Sequence, residues 1–345
     1  MRPSILVGLS GGVDSLSAAL LLRERSCHVM GLYISMHEPK EDVAELRECC
    51  SRYGIELHTA DMSSLFYDTV VRYFDDSYLN ARTPNVCTVC NRFVKIPALI
   101  SKAEELHCDA IATGHYAKVV HRNGYLTLSM AEDEWKDQSY MLYRLTQQQL
   151  SRLMLPLGER TKEEIKRYAL KKGLDAFASK RESFGLCFTS GKHYAEYLLD
   201  KYPCLALLDG GKAVDKDLLV AGTHKGFPFY TVGQWKGLNT EGKCYVNEIM
   251  PRTNMLKVGD KSECFRSHIR IGDMNFIRPL SMVDTSLEYT AKTRGKDKEH
   301  AMRFAGLDSE HADIVFSEPV FAPVSGQDVV VYDNSRCLVL GGTIV

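Results

Sequence analysis

Near its start the chain runs from a short apolar stretch, Ile5-Leu-Val-Gly-Leu9, through Ser10-Gly-Gly-Val-Asp-Ser15, into an alanine- and leucine-rich segment that ends at Arg25. No other part restricts the fold as tightly. A buried strand that turns on two glycines straight into a helix is the opening unit of a parallel α/β sheet. Gly11 and Gly12 carry no Cβ, so backbone N–H groups there can come close to an anion. The first turn of the following helix leaves N–H groups without partners, and its dipole favours negative charge. Ser10 and Ser15 add hydroxyl donors. The loop therefore reads as a phosphate cradle, although it lacks the Gly-Lys-Ser/Thr ending of a Walker A loop. Asp14 is an odd neighbour for a polyanion and is expected to hold a Mg²⁺ that bridges phosphates.

The alternation continues. Strands are expected at about 29–34, 56–60 and 109–113, with helices over 42–53, 64–79 and 95–106. After about Lys201 glycines become frequent and short β-branched runs replace the helices. From Phe265 onward, His268-Ile-Arg-Ile271, Leu287 to Lys292 and Val329-Val-Val-Tyr332 have the spacing of a small barrel. The expected architecture is an α/β domain with a parallel sheet over 1–200, a small central β-rich domain over 201–264 and a C-terminal β-barrel over 265–345.

Lys and Arg total 43 against 44 Asp and Glu, a formal net charge of −1. A globally basic nucleic-acid binder is excluded, so any RNA contact must use local patches. Two segments supply them. Arg160 to Arg181 holds eight Lys or Arg against three Asp or Glu, and Lys292 to Arg303 is a smaller cluster. Thr161 and Glu164 fit a capping box, so a helix is expected to start there. A basic helix is by default a solvated face. No apolar run approaches the ~20 residues of a membrane span. The 11 cysteines, an odd number behind an N-terminus with no leader-like pattern, point to a reducing cytoplasm.

Among those cysteines, Thr83-Pro-Asn-Val-Cys87-Thr-Val-Cys90-Asn91-Arg92 brings two sulfurs within one turn. That spacing suits redox chemistry, sulfur transfer or part of a metal site. Cys49-Cys50 is the one other close pair, and adjacent residues are a poor complement for a four-cysteine zinc site. Cys187, in Glu182-Ser-Phe-Gly185-Leu-Cys187-Phe188, would by itself be read as a core cysteine. The remaining eight have no claim beyond packing.

The loop at Ser10–Ser15 resembles the fingerprint of the ATP-pyrophosphatase superfamily, which cleaves ATP between its α and β phosphates. A more specific resemblance comes from six stretches taken in order: Ser10–Ser15, Thr83–Asn91, Ala112-Thr-Gly-His-Tyr116, Lys136-Asp-Gln-Ser-Tyr140, Glu182–Phe188 and Phe229-Tyr-Thr-Val-Gly-Gln-Trp-Lys-Gly-Leu238. Together they are similar to the tRNA-specific 2-thiouridylases over nearly the whole chain. The resemblance implies an adenine nucleotide alpha hydrolase-like catalytic domain. It implies ATP and Mg²⁺ at Gly8, Leu9, Ser10, Gly11, Gly12, Val13, Asp14 and Ser15, with Ile34 and Gly114 lining the nucleotide site. It implies adenylation of the C2 oxygen of the wobble uridine of tRNA, and a persulfide loaded onto Cys187 by a cysteine desulfurase or a sulfur-relay protein. Cys90 is then the partner nucleophile, which releases the sulfur or forms a disulfide with Cys187. Asn85, Val86 and Cys87, together with Lys136, Asp137 and Gln138, fall where relatives contact tRNA, and Arg294 and Gly295 are assigned the same role.

The chain departs from the family pattern at several places. Val86 replaces the second Pro of a Pro-Asn-Pro sequence, and Cys87 stands where many members carry an acid. Trp235 replaces an Arg, Gly295 stands where an aromatic is common, and the strand after Gly31 lacks a Trp. These changes fall mostly on RNA-facing positions. Two alternatives follow: an iron–sulfur cluster held by Cys87, Cys90 and Cys187, since three thiolates can hold one, and a diverged paralogue with a different tRNA substrate or none.

Overall fold

The computed structural model describes residues 2–37, 42–180 and 185–345. Five parallel strands form the first sheet. They are β1 (Ser4–Gly8), β2 (His28–Ser35), β3 (Glu56–Asp61), β4 (Ala110–Ala112) and, beyond the β5–β6 hairpin (Lys118–Arg122 and Tyr125–Ser129), β7 (Leu153–Met154). Their order is β3-β2-β1-β4-β7. The hairpin and the two-residue edge strand β7 escape the sequence reading, because neither carries a strand-length apolar run.

Helix α1 (Val13–Glu24) is buried along Ser15–Leu22, which is why its sequence is apolar all round rather than on one stripe. Helix α2 (Asp42–Arg52) follows β2, and α3 (63–79) follows β3. Helix α4 (86–105) begins nine residues before its expected start. It takes in both cysteines of the Cys-x-x-Cys sequence and contains a π-helical turn at Asn91–Lys95, where Ile96 N–H donates to Asn91 O. Helix α5 (Gln147–Arg152) leads into β7, and α6 (Lys162–Lys171) starts with the expected capping box of Thr161 and Glu164.

A second sheet joins β8 (Gly211–Val214), β9 (Val220–His224), β10 (Asn239–Thr240), β11 (Tyr245–Met250) and β12 (Met255–Gly259) in the order β10-β9-β8-β12-β11. The last six strands are β13 (Phe265–Phe276), β14 (Tyr289–Lys292), β15 (His300–Leu307), β16 (Ala312–Phe321), β17 (Asp328–Tyr332) and β18 (Leu338–Ile344). They close into a barrel ordered β13-β16-β15-β14-β17-β18. Its inner residues, among them Ile271, Met302, Ile314, Val329 and Leu340, fill it as a packed core. Barrel residues Val330, Tyr332 and Leu338 also pack with Tyr140 and Tyr143 of the first domain, so the two share a core.

Candidate functional site

In an open parallel sheet, ligands bind beyond the carboxyl ends of the strands where the strand order reverses. Here that point lies between β1 and β4, which are neighbours although the chain leaves them for opposite sides of the sheet. A cavity of about 260 Å³ occupies it, lined by Gly8, Leu9, Ser10, Asp14 and Ser15 after β1, by Ile34 and Met36 at the end of β2, and by Thr113–His115 after β4. Of the residues assigned to the nucleotide, Gly11 and Gly12 in the turn and Val13 at the start of α1 do not line this cavity. Gly12 caps α1 without a side-chain bond, which leaves the first-turn N–H groups open. Ser15 Oγ donates to Gly12 O at 3.0 Å and accepts from Ser10 N at 3.2 Å, closing the loop on itself. Gly114 presses against it: a Cβ there would sit 2.8 Å from Ser15 N.

Asp14 does not stand open to a cation. Both of its carboxylate oxygens accept from Lys162 Nζ at 2.7 Å, and Oδ1 also accepts from Tyr116 OH at 2.9 Å. The expected Mg²⁺ ligand is thus already neutralised by a buried lysine. Lys162 is the first residue of α6, where a cation opposes the helix dipole. Burying a lysine there is costly unless an anion offsets it. The sequence reading passed Lys162 over as one charge of a basic helix; the signal was a lysine directly after a capping-box threonine.

Lys95, also overlooked, lines the same cavity. It follows Cys90 by five residues, a spacing that an α-helix would turn away and that the π-helical turn brings back. Burial works against its charge, yet the sulfurs of Cys90, Cys87 and Cys187 outweigh burial and hold its pKa above the ordinary value. Cys90 is buried, and its Sγ lies 3.7 Å from Sδ of Met36, a cavity residue. Burial pushes the Cys90 thiol up to about 11; Lys95 opposes this, while Cys187 and Cys87 add to it. His115 accepts or donates at 2.8 Å to Thr113 Oγ1, and burial together with Lys95 pushes its pKa down to about 3, so it is a neutral imidazole at physiological pH.

Cys87 and Cys187 are exposed. Glu182, Ser183 and Phe184, in the stretch before Cys187, lie outside the described residues. The segment directly after it, Phe188–Ser190, walls a second cavity of about 570 Å³, and Met36 lines both cavities. Met36 therefore separates the nucleotide space from the Cys187 segment and touches Cys90. Among the described residues no group of three or more His, Cys, Asp or Glu comes together as a metal-holding set. Cys87, Cys90 and Cys187 are neighbours in electrostatics but not in ligand geometry.

The residues assigned to RNA divide in two. Asn85 Nδ2 lies 3.9 Å from Met141 Sδ, and a Cβ on Gly295 would sit 2.6 Å from Met141 Cε, so the α4 entry and the barrel loop meet at Met141. Arg294, half-buried, donates to Ala322 O at 2.9 Å. Lys136 is half-buried in the same loop as Gln138, which lines the nucleotide cavity and accepts from Tyr116 N. Asp137 and Val86, by contrast, are buried. The Asp137 carboxylate accepts from Ala131 N, Ser139 N, Ser139 Oγ and Lys292 Nζ, so its oxygens are engaged within the protein. The basic segments are also partly consumed. Besides Lys162 and Lys292, Lys172 pairs with Glu24, Lys180 with Glu45 and Arg303 with Glu288, each at 2.6 Å. Arg181 lies outside the described residues. Trp235 is 45 % exposed, with Lys243 Nζ 4.4 Å from its ring, so the position that lost an Arg keeps a cation beside it.

Comparison with known proteins covers the full chain. Residues 3–191 match a family described as the tRNA methyl transferase HUP domain, 209–260 the tRNA methyl transferase PRC-barrel domain, and 266–345 the aminomethyltransferase beta-barrel domain. The tRNA-specific 2-thiouridylase MnmA 1 of Clostridium botulinum is 36 % identical over 353 residues, covering 100 % of this chain and 98 % of the relative. The MnmA of Carboxydothermus hydrogenoformans is 38 % identical, covering 99 % and 98 %. That of Chlorobaculum tepidum is 40 % identical, covering 99 % and 94 %.

Proposed function

The chain belongs to the tRNA-specific 2-thiouridylase family, and from that premise we propose that it replaces the C2 oxygen of the wobble uridine of tRNA with sulfur at the expense of ATP. The family descriptions speak of a methyl transferase and the full-length relatives of a thiouridylase. A phosphate cradle beside a cysteine pair favours the second. The observation that carries the reading is the shared wall: Met36 and Lys95 line the nucleotide cavity, and Met36 touches Cys90 Sγ. Activation and sulfur chemistry would then take place in one space.

In the first half-reaction the uridine C2 oxygen attacks the α-phosphorus of ATP. The new bond is O–P, the bond broken is that to pyrophosphate, and C2 gains an AMP leaving group. The loop N–H groups and Ser10 hold phosphate oxygens, and Lys95 supplies positive charge where the phosphoryl group becomes more negative, while Lys162 offsets the Asp14 charge beside the loop. Mg²⁺ would enter with the nucleotide. Among the described residues that line the cavity, Asp14 is the one carboxylate and is already paired with Lys162, so those residues do not build a magnesium site and no step is routed through one.

In the second half-reaction a persulfide donor, in our reading a cysteine desulfurase or sulfur-relay protein, has left Cys187 as Cys187–S–S⁻. Cys90 attacks the Cys187 sulfur, a Cys90–Cys187 disulfide forms, and HS⁻ departs carrying the Cys90 proton. The thiol raised to about 11 is protonated at neutral pH and so can supply that proton. HS⁻ adds to C2 and AMP leaves with the oxygen. A cellular thiol then reduces the disulfide, which fits a reducing cytoplasm. No helix among the described residues is long and apolar enough to cross a membrane. We assign activation to residues 1–200, and RNA contact to the region around Met141, with the domains at 201–264 and 265–345 contributing the rest of the RNA contact.

Cys187→Ser tests the reading in a single-turnover assay with ATP, tRNA and a persulfide donor. AMP-linked tRNA should accumulate without thiolation; thiolation at the wild-type rate would overturn the role of Cys187.

A further inference from the structure

Asp328 opens β17, a strand otherwise made of Val329, Val330, Val331 and Tyr332, and it is 1 % exposed. A carboxylate placed there is costly unless donors meet it. Tyr143 OH at 2.7 Å, Thr343 Oγ1 at 3.2 Å and Arg144 Nη2 at 3.3 Å all donate to Oδ1. The other oxygen, Oδ2, lies 2.8 Å from Thr88 Oγ1, which is also 2.9 Å from Asn85 O. A hydroxyl has one proton, so Thr88 is held between two oxygens, with the proton shared or a second one carried by Oδ2. Burial raises the Asp328 pKa, against the pull of Arg144, Tyr143 and Thr88.

Thr88 stands between Cys87 and Cys90, 240 residues from its partner in the chain. The neighbouring contacts point the same way. Thr83 N donates to Ser325 O at 2.9 Å, and Tyr140 OH donates to Asp328 O at 2.7 Å. Gly326, at φ +89°, lies so close that a Cβ would sit 2.9 Å from Thr83 N. Barrel segment 325–328 thus closes directly on the chain that leads into the cysteine turn. Neither Asp328 nor Thr88 lines the nucleotide cavity.

We propose that Asp328 is a positioning residue for sulfur transfer: acting through Thr88, it fixes the turn that carries Cys87 and Cys90. The proposal rests on the thiolation reading above, and it gives the barrel a part in the chemistry separate from any grip on RNA.

Thr88→Val removes both contacts of Oγ1, to Asp328 Oδ2 and to Asn85 O, Thr88→Ser keeps both, and Asp328→Asn leaves the contact to Asn85 O in place. With the full-length protein, Thr88→Val should lower kcat for thiolation roughly tenfold or more, because small misplacements of a reacting group cost that much. KM for tRNA and tRNA-dependent AMP formation should change by less than about twofold. Thr88→Ser should restore kcat. Asp328→Asn should show the same split, and Thr88→Val covers the case in which it fails to fold. A parallel fall in AMP formation, a rise in KM alone, or unchanged thiolation in Thr88→Val would each overturn the proposal. Wild-type protein that makes no thiouridine would instead overturn the functional reading. The brace is then still read by bimane alkylation of Cys90, located by peptide mass, in a Cys87→Ser, Cys187→Ser, Cys204→Ser background: Thr88→Val should speed it at least about fivefold through local opening, and an unchanged rate overturns the brace.

Discussion

The phosphate loop and the cysteine turn are linked through Met36 and Lys95, which line the nucleotide cavity, but the two are assembled differently. The loop takes its cradle from residues 8–15 and closes it with bonds among Ser10, Gly12 and Ser15; its distant partners are Lys162 and Tyr116, both on Asp14. The turn at 87–90 has little of its own. Cys90 is buried against Met36, its charge environment is set by Lys95 across a π-helical turn, and Thr88 is held by the barrel through Asp328. A phosphate site can be local because backbone N–H groups and a helix dipole do the binding. A reactive thiol has no such backbone device, so its reactivity has to come from side chains brought in from elsewhere.

If that contrast is right, damage to the two halves should separate. The largest effect is expected from Cys187→Ser, which should lower thiolation more than about a thousandfold while leaving adenylation in place; gel-resolved tRNA–AMP measures both. Lys162→Met should do the reverse, lowering AMP formation about a hundredfold, because it leaves the Asp14 carboxylate uncompensated beside the polyanion where charge is preorganised for the transition state. A Lys162→Met protein with normal AMP release would break the comparison, because Asp14 would then need no distant partner.

Lys95→Met sharpens it further, since Lys95 touches both halves. Lys95 favours the thiolate, so its removal should move the Cys90 pKa up from about 11. The rise in Cys90 alkylation with pH should shift upward by roughly one unit, while Lys95→Arg should stay near wild type. The smallest effect on chemistry, though not on folding, is expected from Lys292→Met. It leaves buried Asp137 without its cation, and thermal unfolding should report a loss of about 3 kcal/mol.

The same contrast explains what could be read from sequence. The strand–glycine–helix signal of residues 5–25 is contiguous, and the structure has the α/β sheet and the closed barrel that the strand spacing implied. Cys187 carries no local signal and was found through resemblance alone. Lys95 was invisible because a five-residue step misses the face of an α-helix, and a π-helical turn leaves no periodic trace. Asp328 could have been noticed as a charge at the head of an all-apolar strand, but its partner is 240 residues away. Asp137 shows another gap: the stretch that carries it is recognisable in the sequence, but its burial and its bonds to Ala131 N, Ser139 and Lys292 are not. Binding of tRNA should weaken as salt rises if the basic segments touch phosphates, and a flat response would return the segment from Arg160 to Lys180 to the status of a solvated face.

The central claim is that ATP activation and sulfur transfer act on the same base. Mass spectrometry of tRNA nucleosides after incubation with ATP, Mg²⁺ and a persulfide donor tests it most directly. The account predicts a uridine with sulfur in place of one oxygen and AMP released in step with it. ATP turnover with unmodified uridine, or a methylated base in its place, would contradict it.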